Sequence, residues 1–173
     1  MGFVQPAREK RDDRRSSSRP ETVMVQKIGL ALGSGAARGL AHIGVIQRLE
    51  QEGIRPAIVC GSSIGSLIGA AYAMGRLGRL TEWLRSLDFS KMWKLMDFTL
   101  SGGVLAGKKL ISFFEEHVQD LTIEELPLTY GAVACDLTSG REVWLKSGPV
   151  LEAVRASIAL PGLLTPLIQE ERV

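Results

Sequence analysis

Residues 57–75 form an uncharged run of nineteen, and that run constrains the fold more than any other feature of the 173-residue chain. Its length approaches what a helix needs to cross a bilayer. However, Gly61, Ser62, Ser63, Gly65, Ser66 and Gly69 interrupt it, and turn-formers bunched this early split the segment in two. The reading that fits is a strand over residues 57–60, a tight turn through Gly61-Ser62-Ser63-Ile64-Gly65, and a buried helix. Gly65, Gly69 and Ala73 fall on one stripe of that helix, so it can lie close against a neighbour.

The same order occurs upstream. Residues 27–32 are a short apolar run, expected to be a strand covered on both faces, and Gly33-Ser34-Gly35-Ala36-Ala37-Arg38-Gly39 is a turn. A helix follows, with Ala41, Val45 and Leu49 four apart and His42 and Ile46 beside them; Gly53 supplies its left-handed stop. Strand–helix–strand–helix at this spacing implies parallel strands with a right-handed crossover, hence an α/β layered domain. Further along, residues 79–100 read as one or two amphipathic helices, rich in aromatic residues and Met. Residues 108–118 read as a helix with Leu110, Phe113, Phe114 and Val118 inward. Residues 129–135 and 142–146 read as a hairpin turning at Asp136, and residues 150–159 as a helix ended by Pro161-Gly162.

Charge divides the chain. Residues 1–26 are Ser/Arg-rich with six basic and four acidic groups, too polar to offset the entropy of ordering, so a disordered leader is expected there. The domain proper, residues 27–173, is charge-balanced, and with aromatics at 6% it lacks the basic, aromatic-studded face of a nucleic-acid binder. Cys60 and Cys135 both lie in apolar strand-like runs, where a thiol behaves as a small core residue; a reducing, cytoplasmic setting follows as the expectation. The first residues contain no apolar signal-peptide core. No residues have metal-ligand spacing, and neither a metal nor a cofactor is expected.

Gly61-Ser62-Ser63-Ile64-Gly65 is a G-x-S-x-G. Acyl transfer needs a serine on a strained strand-to-helix turn with its Oγ clear of the sheet, and glycines two positions away remove the side chains that would collide there. The pattern alone is common by chance; an apolar strand before it and an apolar helix after it make it informative. The helix N-terminus also directs its dipole at a developing oxyanion. The earlier turn has backbone N–H groups suited to the same oxyanion, those of Gly35 and Ala36 above all. Gly33-x-Gly35-x-x-x-Gly39 also resembles a nucleotide-binding turn. That alternative requires an acidic residue at the end of the second strand, where Gly61-Ser62-Ser63 stands instead, and the chain has no Walker A sequence. Two histidines are available as a base, His42 after the glycine turn and His117 beside Phe113 and Phe114. The order Ser63, then Asp88 or Asp97, then His117 matches an α/β-hydrolase triad, a second enzyme reading.

Leu30-Ala31-Leu32-Gly33-Ser34-Gly35-Ala36-Ala37-Arg38-Gly39, followed by Gly61-Ser62-Ser63-Ile64-Gly65, resembles the patatin-like phospholipases, especially their bacterial cytosolic branch. Similar segments continue in Gly102-Gly103, Gly107-Lys108-Lys109-Leu110, Ala134-Cys135-Asp136-Leu137 and Ala156-Ser157-Ile158-Ala159-Leu160-Pro161-Gly162. The resemblance implies a layered fold, its mostly parallel central sheet flanked by helices, and a serine acyl hydrolase acting on lipid or other carboxyl esters, with transient membrane-surface contact. It implies a Ser–Asp dyad with no histidine and no cofactor. Position by position, Ser63 matches the nucleophile; Ser34, Gly35 and Ala36 stand where the family has three oxyanion-loop glycines; Arg38 and Gly39 match its Arg-Gly; Gly61 and Gly65 flank the serine. The small side chains at Ser34 and Ala36 leave the N–H groups in place and are expected to be tolerated. The family's base is the Asp of a D-G-[GA] motif, expected a few residues beyond Ile168, and no Asp occurs after Asp136. The chain therefore reads as the amino-terminal part of such a domain, its carboxyl-terminal part missing. The non-enzyme alternative is an inactive fragment or lipid-binding module that keeps the groove. Residues 83–98 suit either a lid or acyl-chain floor, or plain core packing.

Overall fold

The computed structural model describes residues 27–86, 111, 112, 114–116, 118, 121–160 and 166–168. Among the described residues, four strands form one sheet in the order β1 (Gly29–Leu32), β2 (Ile58–Ser62), β3 (Thr129–Cys135), β4 (Glu142–Leu145). The first two pairings are parallel and the β3–β4 hairpin is antiparallel. The fold is thus α/β with a mixed, mostly parallel sheet and flanking helices. Helix α1 (Ala41–Gln51) links β1 to β2 after a short 3-10 turn, Ala36–Leu40; α2 (Ile64–Ala73) leaves the end of β2 directly, and α3 (Leu77–Ser86) follows. A further helix, α4 (Val150–Ile158), packs on β3 and against α2. The leader, residues 87–110, Phe113, His117 and residues 161–165 lie outside the described residues, and with them Asp88, Asp97, Pro161-Gly162 and most of the aromatic stretch.

One row of the sheet runs Leu32, Gly61, Ala132, Leu145, and alternation along each strand turns this row toward α2 and α4. Val59 and Tyr130 share that face and are buried. Every residue of α2 is buried, as the uncharged run requires. The small-residue stripe does what its spacing implies: a Cβ at Gly69 would stand 3.0 Å from Val59 Cγ1. Phe114 and Val118 also enter the core, in keeping with the inward face read for that helix.

Three expectations change. Helix α1 buries Ile46, as expected, but pairs it with Ile43 and not with the Ala41/Val45 stripe; Ala41 is exposed and Val45 is 52% exposed. Two isoleucines bury more apolar area than an alanine and a valine, and they set the rotation of the helix. Among the described residues, cover on both faces of β1 is not found. Among the described residues the opposite side of the sheet carries exposed Ala31, Ile58 and Trp144, and a run as small as Gly29-Leu30-Ala31-Leu32 reads alike whether one face or two is packed. Cys135 is exposed at the end of β3 and Cys60 is half-buried on the outer face, so neither thiol is a core residue.

Candidate functional site

The chain leaves β2 at Ser62 and enters α2 at Ile64, so a single residue, Ser63, makes the whole turn. It does so at φ 55°, ψ −125°, a positive-φ conformation outside the left-handed helical well that residues other than Gly seldom adopt. Such a conformation costs about 1–3 kcal/mol and persists only where the surroundings over-determine it. Here they do. The Ser63 carbonyl accepts from the Ser66 hydroxyl at 2.7 Å and from the Ser66 N–H at 2.9 Å. The Ser63 N–H donates to Ser157 Oγ at 2.9 Å, and that hydroxyl donates onward to the Val133 carbonyl at 2.6 Å. Beneath them the Tyr130 hydroxyl donates to the Ser66 carbonyl at 2.8 Å in the buried core, and burial pushes the phenol well above its usual range.

The glycines around Ser63 are required by contact. A Cβ at Gly61 would overlap the Gly65 carbonyl and stand 2.5 Å from the Ser66 nitrogen. At Gly65 it would overlap the Leu32 carbonyl oxygen and lie 2.6 Å from that of Gly33. A Cβ at Gly39 would run into the side chain of Ile64. The glycine turn and the serine turn therefore press directly on one another, and the spacing between the two motifs becomes a contact in space.

The glycine turn itself is more open. Gly33, Ser34 and Gly35 are exposed, Ala36 is half-buried, and Arg38 is exposed with its N–H on the Gly35 carbonyl at 3.0 Å. Ala36 takes φ 47°, a conformation that glycine reaches without the steric cost alanine incurs, so the departure from glycine at this position carries strain. His42 reaches back from α1, its Nε2–H donating to the Gly33 carbonyl at 2.9 Å. Among the described residues no hydrogen bond joins His42 to Ser63. The Asp136 carboxylate accepts from the Thr138 and Ser139 N–H groups at 2.9 Å each and closes the hairpin turn, its expected place.

The supports of the serine turn, Ser66, Tyr130 and Ser157, received no role from the sequence. A signal was available for two of them: Ser66 lies inside a wholly buried helix, and Ser157 lies three and four residues after buried Val154 and Ala153, so each hydroxyl must find a partner. Among the described residues no group of three or more His, Cys, Asp or Glu could hold a metal ion, and no helix is long and apolar enough to cross a membrane.

Comparison with known proteins matches residues 30–172 to the family model described as patatin-like phospholipase. The chain is 43% identical over 141 residues to an uncharacterized NTE family protein of Mycobacterium tuberculosis. It is 38% identical over 146 residues to patatin-like phospholipase domain-containing protein 6 of Homo sapiens, and 32% over 162 residues to a lysophospholipase of Kluyveromyces lactis. These alignments take in 81%, 81% and 85% of the chain but 39%, 10% and 10% of the respective relatives.

Proposed function

Because the chain belongs to the patatin-like phospholipase family, we propose that it supplies the nucleophile and the oxyanion-binding half of a serine hydrolase acting on lipid carboxyl esters. The carrying observation is Ser63 at positive φ between a strand end and a buried helix, pressed against the glycine turn. In this reading Ser63 Oγ adds to the ester carbonyl as its proton passes to the carboxylate of a D-G-[GA] aspartate. The oxyanion is held by the N–H groups of Gly35 and Ala36. Collapse of the adduct expels the alcohol, which takes the proton back and leaves an acyl-serine that water then hydrolyses. The exposure of Gly33, Ser34 and Gly35 supports a substrate approach from that side, and lipid names among the relatives support an ester borne on a lipid.

A longer form of the protein that runs through the D-G-[GA] motif tests this. General-base assistance contributes about 10²–10⁴-fold, so the longer form is expected to hydrolyse a short-chain nitrophenyl ester at least about 100-fold faster than residues 1–173. In it, Ser63→Ala abolishes turnover, while His42→Ala and His117→Ala stay within about tenfold, because loss of a triad histidine would cost about 10³-fold or more. A collapse on His117→Ala with the fold intact would replace the dyad with a triad.

A further inference from the structure

A strand that ends one residue before a nucleophile must be prevented from continuing. The strand β2 pairs with β3 in parallel as far as Ser62 opposite Val133. Evenly spaced rungs of a parallel ladder would next bring the Ser63 N–H to the Val133 carbonyl. That rung is not made. In its place stands the Ser157 hydroxyl, accepting from the Ser63 N–H at 2.9 Å and donating to the Val133 carbonyl at 2.6 Å.

We propose that Ser157 is a positioning residue for the nucleophile, its hydroxyl inserted as a relay in the ladder so that Ser63 can leave the sheet at positive φ with both backbone groups satisfied. The inference rests on the nucleophile reading of Ser63. Three observations converge on it. The contact joins residues 94 apart in sequence, so it belongs to the tertiary fold and not to the local turn. The hydroxyl uses its donor and an acceptor lone pair on the two groups that the broken rung would orphan, a double duty open to few short side chains. Ser63 is one of two described non-glycine residues with positive φ, and the relay acts at its own N–H.

Remove the hydroxyl and the pair has a competing arrangement. The N–H and carbonyl can approach each other only if β2 extends by one residue and Ser63 returns to extended φ. Alternation would then turn the Ser63 side chain to the face opposite that of Ser62, toward α2 and α4. The serine would stay in the chain, and its hydroxyl would leave the reacting position. The expected kinetic signature in the longer form is a fall in kcat for ester hydrolysis of about tenfold or more with KM nearly unchanged, the pattern of lost alignment.

The test that separates this from the nucleophile reading uses the 173-residue chain and needs no turnover: amide hydrogen exchange, resolved at Ser63, Val59 and Ile68. In Ser157→Ala the Ser63 amide is expected to exchange about tenfold faster or more than in the native chain, with Val59 and Ile68 unchanged. Ser157→Thr, which keeps the hydroxyl, is expected to restore the native rate. Ser157→Cys, a weaker donor, should fall between and covers the case of an alanine variant that does not fold. An unchanged Ser63 rate in the alanine and cysteine variants overturns the proposal. So does an equal rise at all three amides, which would make Ser157 an ordinary packing residue. Because no substrate is present, the exchange result stands even where Ser63 takes no acyl group; that failure would strike the nucleophile alone.

Discussion

The serine turn and the glycine turn lie against each other, yet they are built on opposite principles. Around Ser63, hydrogen bonds donated by Ser66 and Tyr130 and one accepted by Ser157 converge within one helical turn, and neither flanking glycine has space for a methyl group. Around Gly33 to Gly35 the backbone is exposed, and the described side-chain hydrogen bond is the one from His42. Under the proposed function, a serine held out of strand pairing at positive φ needs a rigid frame, because its strain must be offset by the surroundings. Under the same proposal, a backbone that receives a substrate oxygen needs access, and its N–H groups would act from the main chain whatever small side chain is present. The strained alanine at 36 and the serine at 34 are consistent with that looser requirement; no comparable substitution has room at 61 or 65.

The contrast can be broken most forcefully at Gly65. A methyl group there meets two backbone carbonyls that cannot step aside, and Gly65→Ala is expected to cost about 3 kcal/mol or to prevent folding, read as a drop in the urea midpoint. Tyr130→Phe strips one buried donor from the Ser66 carbonyl without changing shape, and should cost about 1–2 kcal/mol in the same assay. Across the contact, Ala36→Gly relieves the left-handed strain. After the extra chain entropy of glycine is set against it, a gain of about 0.5–1 kcal/mol is expected. The smallest effect belongs to Gly33→Ala, where the added methyl meets open space and no positive φ is required; stability should move by no more than about 0.5 kcal/mol. Equal costs at Gly33 and Gly65 would erase the distinction between the two turns.

Much of this architecture is legible in the sequence because local patterns and tertiary demand agree. The uncharged run broken by Gly61 to Gly65 yields strand, turn and helix almost at the observed residues, since a helix without a charged residue can be buried on every side. Gly53 stops α1 at φ 76°, and Asp136 closes the hairpin, both local effects that a short window contains. The family resemblance read from the motifs agrees with the matched model over residues 30–172, and the two motifs that carry it lie in contact in space. What stays illegible is long-range or rotational. Helix α1 has two apolar stripes flanking Ile46, and the larger side chain of Ile43 turns the helix away from Ala41 and Val45. Cys135 looks like a core residue in its apolar run, but alternation along β3 from buried Tyr130 and Ala132 puts it on the outer face, opposite Glu142. Ser157 is bound to Ser63 across most of the domain, and periodicity within α4 indicates only that its hydroxyl needs a partner.

The central claim is that the elbow presents Ser63 as the reacting group, and an activated phosphonate reads it most directly. With the longer form, mass-spectrometric mapping after labelling is expected to find the adduct on Ser63 and none in Ser63→Ala. An adduct on another residue, or equal labelling of the alanine variant, would contradict it.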